Sequence, residues 1–394
     1  MPTSTTTRPR DRRDRILRAA GRAFSERGYH AVAMEDIAAA EGITASALYR
    51  HFPHKYALFL ECATRLADGL LEALHDLPEG TDLEGVLGAV TRATLPERSS
   101  GGIYRWEARY LLPADRARLR EVFTQVVDAV AQQVRRHRLE HLPRDVGTAA
   151  EHRVLAAAAL GVVGSVTTHR TTLAAGRMEP LLRGAALRVA GGPTVDALTG
   201  TVTAPVGEPG TSAATDRRTQ ILDAAIPLFY RHGFAEVSMG QIARTVGLAP
   251  SALYRHYAGK ADILLAACLR AADVLERSVD LDGLTPGAAS LEALARGYVD
   301  YSFGHVALTA VAAAESGGLA TADRRRLHAV QREHLGMWET HLRLARPGLD
   351  APEARVLVHA ALGTVAEGGR ALRWRDTPDR RRQLTSLTLR SLSD

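Results

Sequence analysis

Ile16, Leu17, Ala20, Ala23 and Phe24 fall at i, i+1, i+4, i+7 and i+8, the spacing of one helical face. Gly28 is placed to stop that helix, since glycine tolerates the left-handed backbone of a C-terminal cap. Met34, Ile37 and Ala38 predict a second, short helix ended by Gly42, and Thr44 has the chemistry to cap a third helix running to His51. Beyond Pro53, periodic segments span Lys55 to His75 and Ala114 to His141. Further helices are expected at Ala149–Ala174, Glu179–Val189, Pro352–Arg373 and Pro378–Leu392. No sustained period-two alternation appears, so the pattern predicts an all-α fold.

The pattern also repeats. Ile16-Leu17 returns as Ile221-Leu222, and the same offset carries Phe24 to Phe229, Gly28 to Gly233, Val32 to Val237, Met34 to Met239 and Gly42 to Gly247. Ser46-Ala47-Leu48-Tyr49-Arg50-His51 recurs unchanged as Ser251 to His256, and Lys55 as Lys260. Eighteen of the 40 positions from Ile16 to Lys55 are identical. Weaker echoes follow, Ala114-Asp115-Arg116 in Ala322-Asp323-Arg324 and Arg153-Val154-Leu155 in Arg355-Val356-Leu357. A period this long is no solenoid; it is two tandem copies of one domain plan. The stretch 191–214 between them, rich in proline, glycine and threonine, reads as a linker. Its mean reach is about 25–30 Å, and full extension spans about 80 Å.

Composition narrows the class. The 394 residues suffice for two or more domains. With 46% hydrophobic and 24% charged residues the chain is ordinary for a globular protein. No membrane span and no secretory signal are expected, and the location expected is the cytoplasm. Two cysteines, Cys62 and Cys268, cannot build a disulfide framework or a four-ligand zinc site. The net charge of +6 is concentrated: residues 8–55 and 217–260 each carry +4. Such local basic patches suit a polyanion. The chain has only two lysines, Lys55 and Lys260, and they share one position of the repeat.

A short helix, a glycine turn and a second short helix make a helix-turn-helix. Ile37, Ala38 and Leu48 would hold the two helices together. Ala45-Ser46-Ala47 and Pro250-Ser251-Ala252 would let a helix N-terminus approach a groove closely. Arg50 and Arg255 can reach guanine edges or phosphates. The stretches Met34–Lys55 and Met239–Lys260 resemble the N-terminal signature of the TetR/AcrR family of bacterial transcriptional regulators. That resemblance implies a three-helix DNA-binding unit, a helical ligand-sensing domain and dimerisation through the last two helices. By position it makes Ala45, Ser46, Arg50, Pro250, Ser251 and Arg255 base readers. Tyr49, His51, Lys55, Tyr254, His256 and Lys260 would clamp phosphates, with Thr44 opening the first reading helix. The family usually has glycine where Ala47 and Ala252 stand. Copy two has Ala249 in place of the capping Thr44, and Pro227 inside its first helix.

The expected plan is therefore residues 1–9 without structure, DNA-binding units at 10–55 and 215–260, and helical regulatory domains at 56–190 and 261–394. Ala159, Gly161, Gly164, Ala361 and Gly363 would permit close backbone approach in a four-helix seam. Two such helix pairs in one chain suggest an intramolecular pseudo-dimer, with a homodimer of chains as the alternative. Aromatic clusters mark a candidate effector pocket: Tyr104, Trp106, Glu107 and Tyr110 in copy one, Tyr298, Tyr301, Phe303 and Trp338 in copy two. Aromatics at helical spacing also fill cores. His137 and His141 could pair on a metal but read better as a solvated face. No phosphate-binding loop, Gly-x-Ser-x-Gly elbow or His-Glu-x-x-His motif occurs, so neither an enzyme nor a cofactor is expected. The reading is a regulator, expected to be a repressor, that binds double-stranded DNA at an imperfect inverted repeat and is released by a small-molecule effector. A ligand-independent DNA-architectural protein, or a small-molecule binder with one idle DNA-binding unit, stands against it.

Overall fold

The computed structural model describes residues 9–98, 103, 110–142, 144, 146–192, 216–314 and 319–394. Tyr104, Trp106, Glu107, the first eight residues and nearly all of the expected linker lie outside them. Among the described residues the regular structure is entirely helical. The first copy contains α1 (Pro9–Arg27), α2 (Met34–Ala40), α3 (Ala45–His51), α4 (Lys55–His75), α5 (Leu83–Thr94), α6 (Pro113–His141), α7 (Ala149–Gly164) and α8 (Ala175–Gly191). The second contains α9 (Arg217–His232), α10 (Met239–Thr245), α11 (Pro250–Leu253), α12 (Lys260–Arg277), α13 (Ala288–Gly304), α14 (Val306–Ala314), α15 (Thr321–Ala345), α16 (Ala351–Ala371) and α17 (Pro378–Leu392).

Three apolar cores organise these helices. Ile16, Phe24, Ile37, Leu48, Phe52 and Phe59 close the first N-terminal head. Ile221, Phe229, Ile242, Leu253 and Ile263 close the second. The third core belongs to both copies: Val162, Leu182 and Val189 share it with Leu357, Val365 and Leu387. It is the expected four-helix seam, built by α7 and α8 against α16 and α17. At its centre the two backbones touch. A Cβ on Gly161 would lie closer than 3.0 Å to the carbonyl oxygen of Gly363, and one on Gly363 would meet Gly161 in the same way. Only glycine allows that approach at both positions. At the margin Arg177 reaches Asp350 at 2.6 Å and Glu353 at 2.7 Å, and Arg188 Nε donates to the carbonyl of Arg390 at 3.3 Å.

Some boundaries differ from the expectation. The helix expected over Ala149–Ala174 ends at Gly164 and tightens into a 3₁₀ turn over Ser165–Thr167. Ser165 Oγ donates to the carbonyl of Val162 at 2.7 Å, Thr167 Oγ1 to Gly164 at 2.8 Å and Thr168 Oγ1 to Ser165 at 2.7 Å. Successive hydroxyls that bind nearby carbonyls compete with the helical ladder. Helix α8 starts before Glu179 and takes Pro180 inside, since Met178 is buried in the seam. Helix α9 likewise runs through Pro227, held by the buried Ile226 and Phe229 on either side. The segment Ala149–Thr167, which carries Glu151 and Arg153, is by length and composition long and apolar enough to cross a membrane. It is 72% buried within the protein, as a core helix of a bundle is.

The glycine contact sets a clear outcome. Gly161→Val or Gly363→Val overpacks the seam and should cost about 1–3 kcal/mol or more, read as a lowered midpoint in a denaturant melt. Gly336→Ala is the control: nothing lies within 4 Å of its Cβ position, and alanine in a helix should gain about 0.5–1 kcal/mol. A Gly161→Val midpoint equal to the parent's would contradict the seam.

Candidate nucleic-acid interface and effector cleft

Each head presents its third helix through a glycine turn. Gly42 has φ +64° and Gly247 φ +67°, the left-handed region that favours glycine. Leu48 and Leu253 are fully buried on one side of the third helix. The opposite side leaves Ser46, Tyr49, Arg50, Ser251, Tyr254 and Arg255 exposed. Tyr49 and Tyr254, at 44% and 54%, are among the exposed large hydrophobic residues. Ala45, His51 and His256 are half-buried, whereas Pro250 is exposed. All the residues expected to touch DNA thus cluster at the third helix of each head, with one qualification.

That qualification is the lysine pair. Lys55 Nζ donates to the carbonyl of His30 at 3.4 Å and stands 4.5 Å from the centre of the Tyr29 ring. Lys260 Nζ does the same with the carbonyl of Ala235 at 3.0 Å and the Phe234 ring at 4.4 Å. Partial burial pulls the Lys55 ammonium below its ordinary pKa, against the opposing pull of Asp36. Both lysines therefore tie the start of the long fourth helix to the loop between the first two. The lysines expected to clamp phosphates thus also tie the head's parts together through the ring and the carbonyl.

A second matched pair was missed from sequence. Arg13 Nη1 donates to the carbonyl of His51 at 2.8 Å and lies 4.2 Å over the Phe52 ring. Arg218 repeats this on His256 at 2.6 Å and on Tyr257 at 4.2 Å. A cation at a helix C-terminus satisfies orphan carbonyls and complements the dipole. The signal was available, for Arg13 and Arg218 share the offset of the repeat just before its first strong match.

The heads are not equal. Thr44 Oγ1 accepts the N–H of Ala47 at 3.2 Å, so α3 is capped and runs seven residues. Ala249 offers no such acceptor, and α11 is regular for four residues only. His54 Nδ1 caps α4 by accepting the N–H of Ala57 at 3.1 Å, a role Gly259 cannot fill in the second copy.

The aromatic candidates divide. A cleft of about 1360 Å³ is lined by Tyr298 and Tyr301 of the second copy and by Tyr110 of the first. Trp338 is not on its wall. It is fully buried behind it, and its Nε1 donates to Nε2 of His334, a wall residue, at 3.1 Å. Phe303 sits in the shared core. The cleft also touches both loops that the lysines hold: Tyr29 and His30 of the first head, Phe234 and Ala235 of the second. Those loops meet, with His30 Nε2 at 3.5 Å from Glu236 Oε1. No cluster of three metal-ligating side chains occurs among the described residues.

The family model described as bacterial regulatory proteins, tetR family, matches residues 16–62 and again 221–267. Each head is a TetR-type DNA-binding unit. The transcriptional activator FasR of Mycolicibacterium smegmatis is 41% identical over 68 residues, 17% of this chain and 31% of that protein. The transcriptional repressor KstR2 of Rhodococcus jostii is 29% identical over 120 residues, 29% of this chain and 59% of its own. The match thus spans less than two thirds of each of these relatives. A TetR-family regulator from Bordetella parapertussis aligns structurally over 44% of this chain and 91% of its own, at 22% identity and a TM-score of 0.39. The relatives matched by these TetR-type heads are regulators and not enzymes.

The unequal caps give a paired prediction. Thr44→Ala should destabilise the first head by about 0.5–2 kcal/mol, and Ala249→Thr should stabilise the second by a similar amount. Amide hydrogen exchange over residues 45–51 and 250–256 reads both. Equal protection of the two parent helices, unmoved by either change, would refute the capping account.

Proposed function

We propose that this TetR-family chain is a transcriptional regulator that reads one operator with both of its heads and responds to a small molecule. The observation that carries this is the seam. The helix pairs through which a single-copy relative is expected to join a second chain meet here within one chain, at Gly161 and Gly363. Two-fold symmetry normally supplies the second reading helix; here α11 supplies it. The exposed Ser-x-x-Tyr-Arg edge is identical in both heads, so the half-sites should be related. Ala45 and Pro250 differ beside it, so they need not be the same. Tethering raises the effective concentration of the partner copy to about the millimolar range, which favours pairing in cis.

Light scattering on a complex with a selected operator tests the reading. One protein mass per operator is the expected result, with affinity falling about 10³–10⁵ between 50 and 200 mM salt if about 6–10 phosphates are contacted. Two masses per operator across a dilution series would overturn it. Arg50→Ala and Arg255→Ala should each relax preference at particular bases, by about 1–3 kcal/mol per lost contact. Lys55→Ala should instead weaken all sequences alike and also loosen its head. A lysine change that altered base preference would reverse these roles.

A further inference from the structure

Each copy of a duplicated sensor would be expected to enclose its own pocket. The cleft described above is made by both copies together. The second copy contributes Tyr298 and Tyr301 on α13, His334 on α15 and the small residues Ala271 and Ala272 on α12. The first contributes Tyr110, the Tyr29–His30 loop and the stretch after the 3₁₀ turn, including His169. That stretch leaves the helix early because of the Ser165–Thr168 hydroxyls, so the break in α7 is what brings Thr167, Thr168, His169 and Arg170 to the cleft wall.

The polar groups of Tyr298, His334, His169 and His359 on its wall are uncharged. Tyr298 keeps accessible surface while enclosed by protein, as a side chain facing a cavity does, and burial pushes its hydroxyl well above the usual phenol range. Trp338 is a donor only, so the bond it makes fixes His334 with Nε2 bare and the proton on Nδ1. Burial holds His334 down to about 4. Thr171 N–H donates to His169 Nδ1 at 3.2 Å, which places the His169 proton on Nε2, a buried atom with no protein partner. His169 stacks on His359 at 4.3 Å, and burial keeps both neutral, down to about 2 and about 4. Charged groups line it as well: Arg170 pairs with Glu26 at 2.8 Å, Arg27 with Asp36 at 3.0 Å, and Arg324 donates to Thr321 Oγ1 at 3.3 Å. Glu276 and Glu333 are exposed. An ionised ligand group drawn in among Tyr298, His334 and His169 would meet only these neutral partners there and would lose its hydration uncompensated.

We propose that this cleft takes one uncharged, mainly apolar molecule per chain, bearing an oxygen that the tyrosine hydroxyls and histidine N–H groups meet, and that residues of both copies form its site. The regulator reading gives the site its purpose, but ligand capture is measured without DNA, so either can fail alone. Full-length protein is titrated with 1-dodecanol, dodecanoate and dodecyltrimethylammonium, followed by heat of binding and tryptophan fluorescence. Dodecanol should saturate at one per chain and bind at least tenfold more tightly than either ion. Ala272→Trp should abolish binding by filling the cleft. Tyr298→Phe, which removes a single hydroxyl, and Tyr110→Ala, in the other copy, should each weaken it severalfold, with circular dichroism confirming the fold. No dodecanol binding, a preference for dodecanoate, or two sites per chain would overturn the proposal. Full affinity in Tyr110→Ala would overturn the shared site, and full affinity in both folded Ala272→Trp and Tyr298→Phe would overturn its location.

Discussion

The backbone contact between Gly161 and Gly363 is the constraint on which the molecule depends. Two helices can approach to carbonyl distance only where neither carries a side chain, and each glycine here would strike the other's backbone if it gained one. That approach lets Val162, Val365 and their neighbours bury one common core from both copies. It also fixes where everything else can lie. With α7 and α16 locked together, the heads are brought so near that their α1–α2 and α9–α10 loops meet at His30 and Glu236. The cleft forms beside that meeting point.

The lysines connect these levels. Lys55 and Lys260 each hold the loop of their own head by a carbonyl and a ring, and each stands at the first residue of the helix that follows the reading helix. The same loops line the cleft. One ammonium thus links Tyr29 or Phe234 at the cleft wall to the base of α4 or α12. Arg13 and Arg218 fasten the C-terminal side of each reading helix to the first helix of its head. The reading helices are held on their C-terminal side by cations bonded to backbone carbonyls, so the geometry survives the replacement of Tyr29 by Phe234 in the second copy.

Much of this was legible in the chain, and the reasons differ by element. The heads could be read since Ile16 to Lys55 combines period, glycine stops and caps within a short span, and the duplication states it twice. The glycines of the seam could be read for a similar reason: small residues repeated at matching positions have few uses besides close packing. The end of α7 could not, because three hydroxyls acting together override a strong apolar periodicity that continues past them. Trp338 could not be placed either. A large aromatic on a helical face is equally suited to a wall or to the core behind it, and only the fold of α15 decides. The inward turn of the lysines depended on Tyr29 and Phe234 lying opposite, a contact across 26 residues that spacing does not reveal.

The inequality of the copies follows from the same joining. In a dimer of identical chains each change appears twice, so a weakened cap would weaken both reading helices at once. Once both copies lie in one chain, symmetry no longer duplicates a change. Thr44 and Ala249 can then differ, and one head keeps a capped seven-residue helix while the other keeps four. The hydroxyl run after Gly164 exists in the first copy, whereas α16 continues unbroken to Ala371 in the second. These departures fall on opposite sides. The first copy has the better-capped reading helix and gives its broken α7 to the cleft. The second has the weaker reading helix and supplies most of the cleft's walls. A division of that kind is open only to a fused pair, where the seam keeps the halves in register while each is free to specialise.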